Sequence, residues 1–81
     1  MKVQVLFHSY FRDLAGTAQM AFDMPETSTL RELIAHVHER APKLRPLERS
    51  TLKAVGVDYQ DGNYILQEGD EVSLFPPVQG G

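Results

Sequence analysis

Three histidines, one run of carboxylates and a diglycine end are the features of this 81-residue sequence whose types and spacing could do chemistry. His36 and His38 stand two apart in a helical stretch, so they point in different directions and do not make a paired metal site. His8 follows a strand with no carboxylate pattern beside it and reads as a surface or edge histidine. Glu68-Gly69-Asp70-Glu71 crosses a tight turn into a strand. Turn chemistry, with Asp70 accepting from nearby backbone amides, accounts for that run better than an acid–base pair. No glycine-rich loop follows a strand and opens a helix, and Gly62 and Gly69 fall in separate turns, so no phosphate cradle is expected. There is no cysteine, which removes disulfides, thiolate metal sites and persulfide chemistry on a side chain. No metal site and no bound cofactor are expected.

The ending, Phe75-Pro76-Pro77-Val78-Gln79-Gly80-Gly81, is of another kind. Its two prolines offer no amide donors, so they stop a sheet and fix the direction in which the chain leaves it. Gly80 and Gly81 carry no Cβ, and a backbone of that kind threads a channel too narrow for side chains. From Pro76 to Gly81 an extended tail reaches roughly 20 Å at ~3.3 Å per residue. The group it would present is the terminal carboxylate of Gly81. Two terminal glycines are also what a frayed end looks like. Here they coincide with a rigid exit and with the order of elements that precedes them, and the tail is read as functional.

Those elements follow from periodicity. Residues 2–7 alternate with Val3, Val5 and Phe7 on one side, which predicts a strand with one buried face. Residues 9–17 form a short helical turn ended by Gly16. Residues 18–24 make a second strand that stops at Pro25. Thr29 followed by Glu32 is a capping box, although Ser28 is also a competent cap. Leu30, Leu33, Ile34, Val37 and Ala41 then share a helical face, with Arg31, Glu32, His38, Glu39 and Arg40 on the wet side and Pro42 ending the run. Residues 43–51 read as a charged surface turn, 52–57 as a strand, 61–63 as a turn, 64–66 as a short extended piece and 71–75 as the last strand. Strand, strand, helix, strand, strand is solved most simply by a two-layer α+β domain. The first and last strands would pair in parallel at the centre of a mixed sheet of four to five strands, with one main helix across one face. That is the ubiquitin-like β-grasp. A single domain is expected over 1–81, with 76–81 a flexible C-terminal tail.

Composition narrows the function classes. Eight Lys+Arg against eleven Asp+Glu give a formal charge of −3, with no basic stripe, so nucleic acid is not an expected partner. The N-terminus lacks the pattern of a signal peptide and no stretch approaches a membrane span, so a cytoplasmic protein away from membranes is expected. A chain of this length has little room for both a core and a deep active site, and is expected to act with partners.

Gly69-Asp70-Glu71-Val72-Ser73-Leu74-Phe75-Pro76-Pro77-Val78-Gln79-Gly80-Gly81 resembles the C-terminal signature of the MoaD-like small subunits of molybdopterin synthase, in the ThiS/MoaD sulfur-carrier family. Leu6-Phe7 followed by Phe11-Arg12-Asp13-Leu14-Ala15-Gly16 is similar to that family's first strand and turn. The resemblance runs the whole chain; the tail motif is the specific part. One departure is Gly56, where the family commonly has Asn after the valine of the third strand.

The resemblance implies a chemistry. A MoeB-like, E1-like adenylyltransferase would use ATP to adenylate Gly81, and a sulfur donor would convert the acyl-adenylate to a thiocarboxylate. Docked on the MoaE-like large subunit of the synthase in a hetero-oligomer, the tail residues Pro76, Pro77, Val78, Gln79 and Gly80 would enter the partner's active site. Sulfur would pass there to cyclic pyranopterin monophosphate. The chain would be a sulfur-donating subunit, not an enzyme alone. Arg12, Tyr59 and Phe75 match positions that dock the partners, and Phe75, as the last residue of a strand, is equally readable as core. Three alternatives share the fold: a sulfur carrier for thiamine or tRNA thiolation, a ubiquitin-like modifier joined to lysines through Gly81, and a passive interaction module.

Overall fold

Alternation at period two places Val3, Val5 and Phe7 of the first strand, β1 (Lys2–Phe7), in the core and turns Lys2 and Gln4 to solvent. The computed structural model describes residues 1–77. After β1 come a short helix α1 (Phe11–Ala15), β2 (Gln19–Asp23), the main helix α2 (Leu30–Arg40), a 3₁₀ segment (Pro42–Ser50), β3 (Leu52–Val55), β4 (Asp58–Tyr59) and β5 (Glu71–Phe75). The five strands lie in the order β2-β1-β5-β3-β4. At the centre β1 and β5 run parallel, from Gln4↔Glu71 to Phe7↔Leu74, and the other pairs are antiparallel. With α2 across one face, this is the ubiquitin-like β-grasp that the order of elements predicts.

The helix starts where its cap places it. Thr29 Oγ1 accepts from the Glu32 amide at 3.2 Å, and Glu32 Oε1 accepts from the Thr29 amide at 2.9 Å. The Thr29 amide, and after it the Thr29 hydroxyl, which also donates to Oε1, favour the ionised carboxylate and hold the Glu32 pKa below its ordinary value. Leu30, Leu33, Ile34 and Val37 then meet Val3, Val5, Phe22, Val72 and Leu74 of the sheet in one core, which Phe11 of α1 also enters. Burying each such side chain contributes about 1.5–3 kcal/mol.

Three expectations are corrected. Residues 43–51 are not a simple surface turn: Pro42–Ser50 is a 3₁₀ helix whose Leu44 is buried. Pro42 and Pro46 preset its backbone, and Leu44 anchors it to the core. His38 is not on the wet side but is 6% exposed. It lies one turn beyond Ile34, and the 3₁₀ segment packs against α2. Burial pushes its pKa below the ordinary histidine value, with nearby Glu48 opposing that shift and Arg45 adding to it. The strand at 52–57 stops at Val55, because Gly56 takes a left-handed φ of 59° and turns the chain into β4. The short extended piece at 64–66 is present, with Ile65 in a β-bridge to Thr29. It bridges the start of α2, with Leu30 donating to the Tyr64 carbonyl and Leu66 donating to that of Ser28.

Candidate functional site

The tail is positioned by the strand that carries it. β5 lies between β1 and β3, so its end is held by ladders on both sides. Its entry is fixed by Asp70, whose Oδ2 accepts from the Gln67 amide at 2.8 Å and from the Tyr64 hydroxyl at 2.9 Å. Partial burial and the bond to Asp70 raise the Tyr64 pKa. The carboxylate run is thus turn chemistry, with Asp70 bonding a backbone amide. At the other end β5 passes through Phe75 into Pro76 and Pro77.

Cross-strand partners share a face of a sheet. Val72 and Leu74 point into the core, so Ser73 and Phe75 stand on the face away from α2. The registers add Leu6 beside Ser73, Leu52 beside Phe75, and Ala54 between Ser73 and Tyr59. Leu6 and Leu52 are half-buried, Tyr59 is 70% exposed, and Ala54 is buried but stands outside the helix-side core. His8, two residues beyond Leu6, stacks on Phe75 with ring centroids 4.4 Å apart and planes 14° from parallel. The uncovered face of the sheet is therefore apolar around the root of the tail. An apolar surface rimmed by polar side chains marks a contact site for another macromolecule.

The sequence-predicted residues within 1–77 each have a place in the structure. Phe75 is half-buried on the open face and is not part of the core cluster. Tyr59 lies on that same face, two strands away. Arg12 is exposed on α1. Pro76 and Pro77 are partly buried at the end of β5. Val78, Gln79, Gly80 and Gly81 lie outside the described residues. Sequence reasoning set His8 aside as a surface or edge histidine and gave Leu6, Leu52 and Ala54 no place in a contact surface. Parity held the signal: Leu6 and His8 fall on the side of β1 opposite Val3, Val5 and Phe7, and an apolar residue at a solvent-facing position is a cue to a contact surface. His36 is exposed and His38 buried, and no group of three or more potential metal ligands forms among the described residues. No helix among them is long and apolar enough to cross a membrane.

Comparison with known proteins adds to this geometry. The model of the ThiS family matches residues 5–81. The chain belongs to the ThiS family. Among its relatives, the molybdopterin synthase sulfur carrier subunit of Escherichia coli (strain K12) is 36% identical over 81 residues, which covers 98% of this chain and 99% of the relative. A chain in the complex of subunits 1 and 2 of the molybdopterin-converting factor from Helicobacter pylori 26695 is 28% identical. It superposes with a TM-score of 0.74 over the whole of both chains. SAMP1 from Haloferax volcanii gives a TM-score of 0.91 over the whole of both chains at 18% identity, a likeness of fold alone. The ThiS-family fold thus carries the uncovered apolar face and the diglycine ending on one small body.

Proposed function

We propose that this chain is the sulfur-carrier subunit of a molybdopterin synthase, and that its reacting group is the carboxylate of Gly81. One observation carries the reading: the strand that ends in Phe75-Pro76-Pro77 delivers the tail at the margin of an uncovered apolar sheet face. A body docked through that face would send the tail into its partner. The E. coli relative bears the name of such a subunit, and the H. pylori chain is held in a complex with a second subunit.

The chemistry follows from what a carboxylate lacks. It is a poor electrophile until one oxygen becomes a leaving group. An E1-like, MoeB-like enzyme supplies that by joining the Gly81 carboxylate to the AMP moiety of ATP, with release of pyrophosphate. Sulfide supplied by a sulfur donor attacks the acyl carbon and AMP leaves, which gives a thiocarboxylate. On a MoaE-like large subunit the terminal sulfur forms a bond to a carbon of cyclic pyranopterin monophosphate as a C–O bond at that carbon breaks, its oxygen leaving with the phosphate or as water. Water then breaks the acyl C–S bond and returns the carboxylate. This chain supplies reach and a docking surface, while acid–base groups belong to the partner. Arg12, Tyr59 and Phe75 are the proposed contacts, and Pro76 to Gly80 the segment that enters the partner.

The reading is tested by mixing thiocarboxylated chain with a large subunit and cyclic pyranopterin monophosphate. Formation of one molybdopterin for every two thiocarboxylated chains consumed is expected, because its dithiolene holds two sulfur atoms and each chain carries one. Failure there, with thiolation of a tRNA or thiamine precursor in the matching assay, assigns the carrier to another pathway. Higher-mass conjugates in a lysate blot, absent when Gly81 is deleted, point instead to a protein modifier.

A further inference from the structure

His8 is held more firmly than an edge histidine needs to be. Its amide donates to the Leu74 carbonyl at 3.1 Å, a rung beyond Phe7 that ties the end of β1 to the strand bearing the tail. Immediately afterwards Ser9 takes φ 57°, a left-handed backbone that costs a serine energy. The carbonyl of His8 then accepts from the Phe11 amide at the start of α1. Backbone bonds on both sides fix where the imidazole stands, and it stands flat on Phe75. Its Nε2 is buried with no hydrogen-bond partner among the described residues. A polar atom without a partner opposes the fold, so hydrogen bonding within the described residues does not account for the placement of this ring. What the site uses is its flat surface.

We propose that His8 is a positioning residue for sulfur transfer: its ring sets the Phe75 side chain and with it the direction in which the tail leaves the fold. The inference rests on the carrier reading. Phe75 is joined directly to Pro76, whose φ is fixed near −65°, so a change at Phe75 is passed to the chain beyond it. Reacting groups must be brought within about 3–3.5 Å in the right orientation, and a small misplacement far from the chemistry lowers the rate steeply. A loose Phe75 would therefore leave docking largely intact and make productive placement of Gly81 rarer.

The test is single-turnover sulfur transfer from thiocarboxylated chain to cyclic pyranopterin monophosphate on the large subunit, over a range of large-subunit concentrations. For His8→Ala the rate at saturation is expected to fall about tenfold, with half-saturation moved by less than about threefold. His8→Phe keeps the stack and removes the unpartnered nitrogen, so it is expected to restore the rate to within about twofold, with an equal or higher Tm. An unchanged rate in His8→Ala, a loss wholly in half-saturation, or a His8→Phe as slow as His8→Ala would overturn the inference. A wild-type chain that hands on no sulfur overturns the carrier reading, and this inference with it. If His8→Ala does not fold, ring-to-ring nuclear Overhauser effects in the wild type decide. Their persistence after titration with the large subunit supports the inference, and their loss in a complex that still transfers sulfur contradicts it.

Discussion

Leu52 stands directly across from Phe75 in the β3–β5 ladder, so the last ring of the tail-bearing strand rests on the open face beside a leucine. The neighbouring residue Leu74, 2% exposed, points the other way into the core. The two positions should respond oppositely. Leu74→Ala is expected to cost about 2–5 kcal/mol in urea denaturation. Phe75→Ala loses mainly the aromatic pair, worth about 0.5–1.5 kcal/mol, yet should weaken binding to a large subunit tenfold or more in calorimetry, as truncation of a central aromatic contact does. A Phe75→Ala that unfolds like Leu74→Ala and still binds normally would place Phe75 in the core after all.

His38 makes stability depend on pH. Burial holds its folded-state pKa below the ordinary 6.5, so between those two values the unfolded chain binds more protons than the folded one. Stability therefore falls as pH drops below about 6.5. Denaturation midpoints measured from pH 7.5 to 5 should decline, and His38→Leu should flatten that decline. An equal slope in the variant would assign the effect to other groups.

The 3₁₀ segment is expected to be structural. Leu44 is 2% exposed within it, and Leu44→Ala should cost about 2–5 kcal/mol by thermal or chemical denaturation. A change below about 0.5 kcal/mol would mean that the segment is only a linker.

The conformation of Gly56 says which replacements fit at the turn into β4. At φ 59° a Cβ would meet nothing within 4 Å, so backbone conformation alone decides. Asn adopts the left-handed region readily, and Gly56→Asn should stay within about 0.5 kcal/mol of the parent. Gly56→Val should cost about 1–2 kcal/mol or more. Equal stability in the two variants, read from urea midpoints, would contradict the assigned turn.

Much of this fold is legible in the sequence because its strong signals are local. The alternation of Val3, Val5 and Phe7, the Thr29–Glu32 box and the stripe from Leu30 to Val37 each specify an element without help from afar. The parallel pairing of β1 with β5 follows from their order. The segment 42–50 was not legible, because a 3₁₀ helix has no long period and its one anchor, Leu44, looks like any leucine among charges. The same segment makes His38 a buried residue, so that error followed from the first. At the tail root, Pro76 and Pro77 announce themselves by type. The stack of His8 on Phe75 does not, since it joins residues 67 positions apart through a parallel register that a single sequence does not display.

The claim that most needs testing is the role of Gly81. Its most direct measurement is the intact mass of the purified chain after incubation with an E1-like activating enzyme, ATP and a sulfur source. The account predicts a gain matching replacement of one oxygen by sulfur, absent without ATP and absent when Gly81 is deleted. An unchanged mass, alongside an activating enzyme shown to work on another carrier, would contradict it.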